Sequence, residues 1–222
     1  MERREFLQIS STILALAAAD PRNLANGRSG SEPASAEPLT AANYRTSRKF
    51  AATAYGRIAY IERGKGPAAL FLHGFPLNSF QWRGVISLLA AHRRCIAPDY
   101  LGMGFTEIKE GQSVAPAEQA AMITAFLDTL SISSVDIIAN DSGGAIAQLL
   151  LTQHPKLIRT VLLTNCDAEP DSPPPAVMPV IALAKQGAFA DKLLVPWLAD
   201  KELARSPKGL GGACYEIGRA HV

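Results

Sequence analysis

Little in this chain calls for a metal, a nucleotide or a nucleic acid. No cluster of His, Cys, Asp and Glu carries metal-ligand spacing, and no glycine-rich loop is placed to cradle a phosphate. A net charge of only +2 and an aromatic content of 7% leave no basic, base-stacking surface for DNA or RNA. Cys95, Cys166 and Cys214 cannot all pair; the first two fall in or at the end of apolar strands and read as small core residues. The early apolar run, Ile9–Ala19, is shorter than the roughly 20 residues a membrane span needs. These absences leave 222 residues, 48% of them hydrophobic, which suit one globular domain with a sizeable core and neither metal nor cofactor.

The most informative stretch is Val135-Asp-Ile-Ile-Ala-Asn-Asp-Ser-Gly-Gly-Ala-Ile-Ala147. An apolar run breaks at Asn140-Asp141, turns through Gly143-Gly144 and continues as an apolar helical pattern to His154-Pro155. Strand, sharp turn and helix in that order make a nucleophile elbow, which holds one reactive side chain above a sheet edge. Two registers are open. Ala139-Asn-Asp-Ser-Gly143 puts Asp141 at the tip; Asn140-Asp-Ser-Gly-Gly144 puts Ser142 there, with Asn where a small residue is usual. A third reading is a plain turn with Asp141 as a helix cap. The choice has chemical content. A serine attacking a tetrahedral carbon gives an ether that water does not remove. A carboxylate, already an anion at neutral pH, gives an ester that an activated water hydrolyses at its carbonyl. An Asp tip therefore points to epoxide opening or halide expulsion.

Other segments support an alternating layout. Pro67–Leu72 reads as a buried strand ending at His73-Gly-Phe-Pro76, where backbone N–H groups of Phe75 and Ser142 would converge on a developing oxyanion. Ser79-Phe-Gln-Trp82 leads into an amphipathic helix through Val85, Ile86, Leu88 and Leu89. Arg94–Pro98 reads as a second buried strand, followed by Asp99-Tyr-Leu-Gly-Met-Gly104. Ile123, Phe126, Leu127 and Leu130 recur at helical spacing, which predicts a helix over 116–131. Strands alternating with helices predict an α/β fold with a doubly wound, mostly parallel sheet.

With His73-Gly-Phe-Pro76, Ala97-Pro-Asp99, Gly102-Met-Gly104 and Asn140-Asp-Ser-Gly-Gly144 in order, residues 48–166 resemble the α/β-hydrolase family, and most of all its haloalkane dehalogenase and epoxide hydrolase branch. The Gly-Gly-x-x-Ala of Gly143–Ala147 resembles the run that follows the nucleophile by one residue in that family, which selects Asp141. Haloalkane dehalogenases carry a side-chain N–H donor after His-Gly and a Trp after the nucleophile. Here those places hold Phe75 and Ser142. Phe75 is similar to the His-Gly-Phe-Pro of epoxide hydrolases, but their two cap tyrosines have only Tyr215 to match them here. The resemblance implies a pocket about His73 and Gly74, with Trp197 as a candidate halide donor and, otherwise, a packing residue. It also implies a catalytic acid. Asp167, just after the strand Ile158–Asn165, is one candidate; Asn165, where some relatives carry Glu and others Asn, points to a later strand instead.

The ends carry expectations of their own. Arg3-Arg4-Glu-Phe-Leu7 before Ile9–Ala19 resembles a twin-arginine export signal, so 1–36 reads as signal and linker and the mature protein as periplasmic or secreted. Cleavage is placed after Ala19 or Ala36. Residues 37–47 read as linker, 48–167 as hydrolase core and 168–216 as a partial helical cap. Ile217–Val222 reads as a translated sequencing adapter, and the chain as a fragment lacking two strands and a catalytic His. His73 belongs to the oxyanion turn, His92 and His154 end helices, and His221 lies in that tail. The leading expectation is a hydrolase that forms an alkyl-enzyme ester with a small apolar organohalide or epoxide. A serine esterase using Ser142 and a non-catalytic binding protein stand as alternatives. Expected partners are the small apolar substrate, no nucleic acid, and no membrane after signal cleavage.

Overall fold

The computed structural model describes residues 38–166, 173, 175–206 and 209. Arg3-Arg4, Asp167, Tyr215 and Ile217–Val222, on which the expected export signal, acid, cap tyrosine and adapter tail rest, lie outside the described residues.

Helix α1 (Ala41–Ser47) opens the described chain, its first turn capped by the Thr40 hydroxyl, which accepts the Asn43 N–H. Residues 37–47 were expected to be linker; this helix corrects that. Its anchors are two apolar residues in a polar stretch, Leu39 and Tyr44, which are buried against Ile61. Strands β1 (Lys49–Thr53) and β2 (Gly56–Arg63) form an antiparallel hairpin. The remaining strands are β3 (Ala68–Leu72), β4 (Arg94–Pro98), β5 (Val135–Asn140) and β6 (Ile158–Thr164). The sheet order is β1-β2-β4-β3-β5-β6; β2 runs antiparallel to β4, and β4, β3, β5 and β6 run parallel.

Alternating side chains of β3 divide the core. Ala68, Leu70 and Leu72 face α3 (Pro116–Thr129) and α4 (Ser142–Gln153), meeting Ile123, Phe126, Leu127, Ile146 and Leu150. Ala69 and Phe71 face the other way, onto Trp82 and Ile86 of the 3-10 turn Ser79–Trp82 and helix α2 (Arg83–Leu89). Helices thus cover both faces, as the doubly wound reading requires. Cys95 sits in this second cluster, and burial pushes its thiol up to about 11, which suits a core residue rather than a nucleophile.

One local expectation is corrected. The buried stripe of α2 runs through Trp82, Ile86 and Leu89 at helical spacing, whereas Val85 and Leu88 are 40% and 70% exposed. Strand β6 is apolar in sequence, which favours burial, but it pairs only with β5 among the described residues, and Leu162 and Leu163 are 57% and 40% exposed. Later in the chain come short helices α5 (Met178–Lys185), a π-helical turn (Ala190–Leu194), α6 (Val195–Ala199) and α7 (Lys201–Arg205). No described helix is long and apolar enough to cross a membrane.

The topology chooses where a ligand can sit. The chain leaves β3 for β4 on one side, then crosses back past β3 to β5, with the connecting helices on opposite faces. A crevice opens at such a reversal, outside the carboxyl ends of the strands. The loops after β3 and β5 flank it.

Candidate active site

Strand register brings the two loops level. Leu72 pairs with Ala139, so the next residues on each strand, His73 and Asn140, end side by side. Beyond them Asp141 takes φ 54° and ψ −129°, a conformation that non-glycine residues rarely adopt and that stores about 1–3 kcal/mol. The tip is held from below: the Asp141 N–H donates to the Asn165 carbonyl at 3.1 Å, and the Gly144 N–H returns to the Asp141 carbonyl at 2.9 Å. Close packing explains the glycines. A Cβ on Gly143 would stand 2.5 Å from the Leu72 carbonyl oxygen, and one on Gly144 would overlap Cys166.

At this elbow Asp141 is solvent-exposed, while the Ser142 Oγ is enclosed and has no hydrogen-bond partner. The Asp141 carboxylate does not cap its own helix. Its Oδ1 accepts the Phe75 N–H across 2.9 Å instead. The capping reading is therefore contradicted. Ser142, as first residue of α4, has an N–H without intrahelical partner, at the positive end of the helix. Gly74 is where the β3 loop passes closest: a Cβ there would lie 2.7 Å from Asp141 Cβ.

His73 and Tyr100 form the floor. His73 was expected at the pocket, but it is fully enclosed beneath it. One imidazole nitrogen, Nδ1, faces the Gly74 carbonyl at 2.9 Å and the other, Nε2, lies 3.3 Å from the Tyr100 N–H. A carbonyl only accepts and an N–H only donates, so His73 is neutral with its proton on Nδ1. Burial lowers its pKa accordingly, against the upward pull of the Gly74 carbonyl and the Asp99 and Asp141 carboxylates. Its ring lies against Tyr100, centroids 4.1 Å apart. The Tyr100 hydroxyl is buried and unpartnered, and burial, then the Asp141 charge, raises its pKa well above the ordinary value. Asp99 ties the floor together, accepting the Ser79 N–H at 2.8 Å and the Phe105 N–H at 2.9 Å.

Three further residues join the site without having been singled out for it. Gln81 and Asn140 form a side-chain bridge between the two loops. Phe189, from the segment after β6, stacks on Phe75 with centroids 5.6 Å apart. Gln81 sits in a segment that reads only as a helix entry, and Phe189 in one that reads only as cap, so neither carried a signal in sequence. Trp197 is part of α6 and half-buried; among the described residues no hydrogen bond or ring contact joins it to Asp141 or Phe75. His92 precedes β4 and His154 closes α4, both at the opposite end of the sheet from Asp141. Among the described residues no group of three His, Cys, Asp or Glu side chains is placed to hold a metal.

The sequence matches the family model described as "alpha/beta hydrolase fold" over residues 67–193. Haloalkane dehalogenase 2 of Mycobacterium tuberculosis is 37% identical over 110 residues, 50% of this chain and 38% of that protein. The chain thus spans about two fifths of that relative's length. A solved haloalkane dehalogenase loop variant from Bradyrhizobium elkanii superposes with TM-score 0.50 at 36% identity, covering 53% of this chain and 39% of the other. An epoxide hydrolase solved without ligand gives TM-score 0.54 at 26% identity, over 61% of this chain and 49% of its own.

Proposed function

This chain belongs to the alpha/beta hydrolase fold family, and on that premise we propose that it is a hydrolase whose Asp141 attacks carbon in a small apolar organohalide or epoxide. The observation that carries the reading is the exposed, strained Asp141, whose carboxylate is held by the Phe75 N–H from across the crevice and not by its own helix. The likeness to haloalkane dehalogenases and an epoxide hydrolase supports the same class of substrate. In the first step a carboxylate oxygen forms a bond to the substrate carbon. The carbon–halogen bond breaks with its electron pair on the halide, or the epoxide C–O bond opens to an alkoxide that takes up a proton. In the second step water gives a proton to a base and adds to the ester carbonyl. The Phe75 and Ser142 N–H groups stabilise the oxyanion, whose collapse breaks the bond between the carboxyl carbon and the alkyl oxygen, releasing the alcohol and restoring the carboxylate. The base for that water is not among the described histidines: His73 has both nitrogens engaged. The amino-terminal Arg3-Arg4 and apolar run support export before the enzyme works outside the cytoplasm.

Halide release from 1-iodobutane, followed to at least one equivalent, tests this. Asp141→Asn is expected to slow it by at least about 10³-fold, and Ser142→Ala by far less. If Ser142→Ala is the inactivating change, the reading falls in favour of a serine hydrolase.

A further inference from the structure

We propose that Gln81 is a positioning residue for the attack: with Asn140 it fixes the β3 loop against the elbow so that the Phe75 N–H meets Asp141. This rests on the reading of Asp141 as nucleophile. Gln81 Oε1 accepts the Gly74 N–H at 2.8 Å, and its Nε2 donates to Asn140 Oδ1 at 2.7 Å. Asn140 Nδ2 in turn donates to the Thr164 carbonyl at 2.9 Å. The direction of the relay is set at both ends by backbone groups: the Gly74 N–H only donates and the Thr164 carbonyl only accepts, so each amide has one orientation that serves both neighbours. Side-chain amides thereby tie together the loop after β3, the end of β5 and the end of β6.

What the relay holds is the pair of peptide planes beside the carboxylate. The His73–Gly74 plane is fixed through the Gly74 N–H. The Gly74–Phe75 plane is fixed at its carbonyl, which accepts the Leu77 N–H at 3.0 Å and faces His73 Nδ1 at 2.9 Å. With both planes held, the Phe75 N–H points at Asp141 Oδ1. Asn140 is also the residue before Asp141, so one bridge spans the distance between the Phe75 donor and the donor at the start of α4. Among the described residues Gln81 makes no hydrogen bond to Asp141; it acts through Gly74 and Asn140.

The test follows the butyl ester on the Asp141 peptide by mass as a function of 1-iodobutane concentration, in the chain as it stands and in Gln81→Leu. Removal of both hydrogen bonds is expected to lower the limiting rate of esterification roughly 10- to 100-fold. The half-saturating concentration is expected to move less than about twofold, since uniform binding is untouched. The Phe75 amide proton is expected to shift upfield as its hydrogen bond lengthens. Gln81→Glu keeps the acceptor for Gly74 but not the donor to Asn140, and is expected to fall between; it decides the matter if Gln81→Leu does not fold. An unchanged limiting rate in a folded variant, or a loss confined to half-saturation, overturns the positioning role while leaving Asp141 as nucleophile. If the unsubstituted chain forms no ester at Asp141, the nucleophile reading fails and this proposal fails with it.

Discussion

The Phe75 N–H donates to Asp141 Oδ1 across 2.9 Å, although the two residues are 66 apart in sequence. Parallel pairing of β3 with β5 brings them together, because both strands end level and both loops turn into the same crevice. The hydrogen bond occupies Oδ1, and Oδ2 accepts none among the described residues, which leaves one carboxylate oxygen available for the attack proposed above. The bond also fixes the carboxylate's rotation without using the helix it precedes.

Gly74→Ala tests how tightly that relationship is built. The added Cβ would stand 2.7 Å from Asp141 Cβ and 3.0 Å from its Oδ1. The backbone must move, at an expected loss of about 1–3 kcal/mol in stability. Urea unfolding gives that loss, and ester formation at Asp141 should slow by more than the folded fraction alone accounts for. A variant with unchanged midpoint and unchanged rate would show that the loop approaches less closely.

His73 gives the site an acid limit. Burial lowers its pKa in the folded protein, so the unfolded chain binds that proton more readily. Its contribution to stability is complete above about pH 6.5, the unfolded value, and is lost as pH falls through the lowered folded value. The urea midpoint is expected to decline on acidification below that point, and His73→Gln should lack this part of the decline. A midpoint flat in pH in the unsubstituted chain would contradict a buried neutral imidazole.

Phe189 is the described contact of the segment after β6 with the Phe75 side of the crevice. Phe189→Ala is expected to raise the half-saturating concentration of an apolar probe several-fold while leaving the limiting rate of Asp141 esterification within about twofold. A fall in limiting rate alone would place the ring in the reaction geometry and not in binding.

For Arg3-Arg4, replacement by Lys-Lys is expected to leave the precursor in the cytoplasm, read by fractionation and immunoblot. Undiminished export would remove the twin-arginine reading.

The elbow was legible because its signal is local: six residues of strand, two glycines and an apolar helix are contiguous, and close packing of α4 demands those glycines. The buried strands β3 and β4 announced themselves as short apolar runs for the same reason. The β1–β2 hairpin and α1 did not, since their burial depends on partners far along the chain: Tyr44 is fixed by a hydrogen bond to Ser79, 35 residues on. The same limit hid the Gln81–Asn140 bridge, which spans 59 residues and involves two amides with no pattern of their own. His73 looked like a pocket residue because it precedes the loop, yet the pleat turns its side chain under the sheet's end, onto Tyr100. Leu162 and Leu163 are apolar, yet β6 is the outermost strand among the described residues, and sheet position, not composition, decides exposure there.

The central claim is that Asp141 forms a covalent bond to carbon, and peptide-mapped mass spectrometry measures it directly. The chain is incubated in parallel with 1-iodobutane, 1,2-epoxybutane and an organophosphonate. Butyl or hydroxybutyl mass is expected on the peptide containing Asp141, localised to that side chain by fragmentation and absent in Asp141→Asn, with no phosphonate on Ser142. Phosphonate on Ser142 together with an unmodified Asp141 would contradict it.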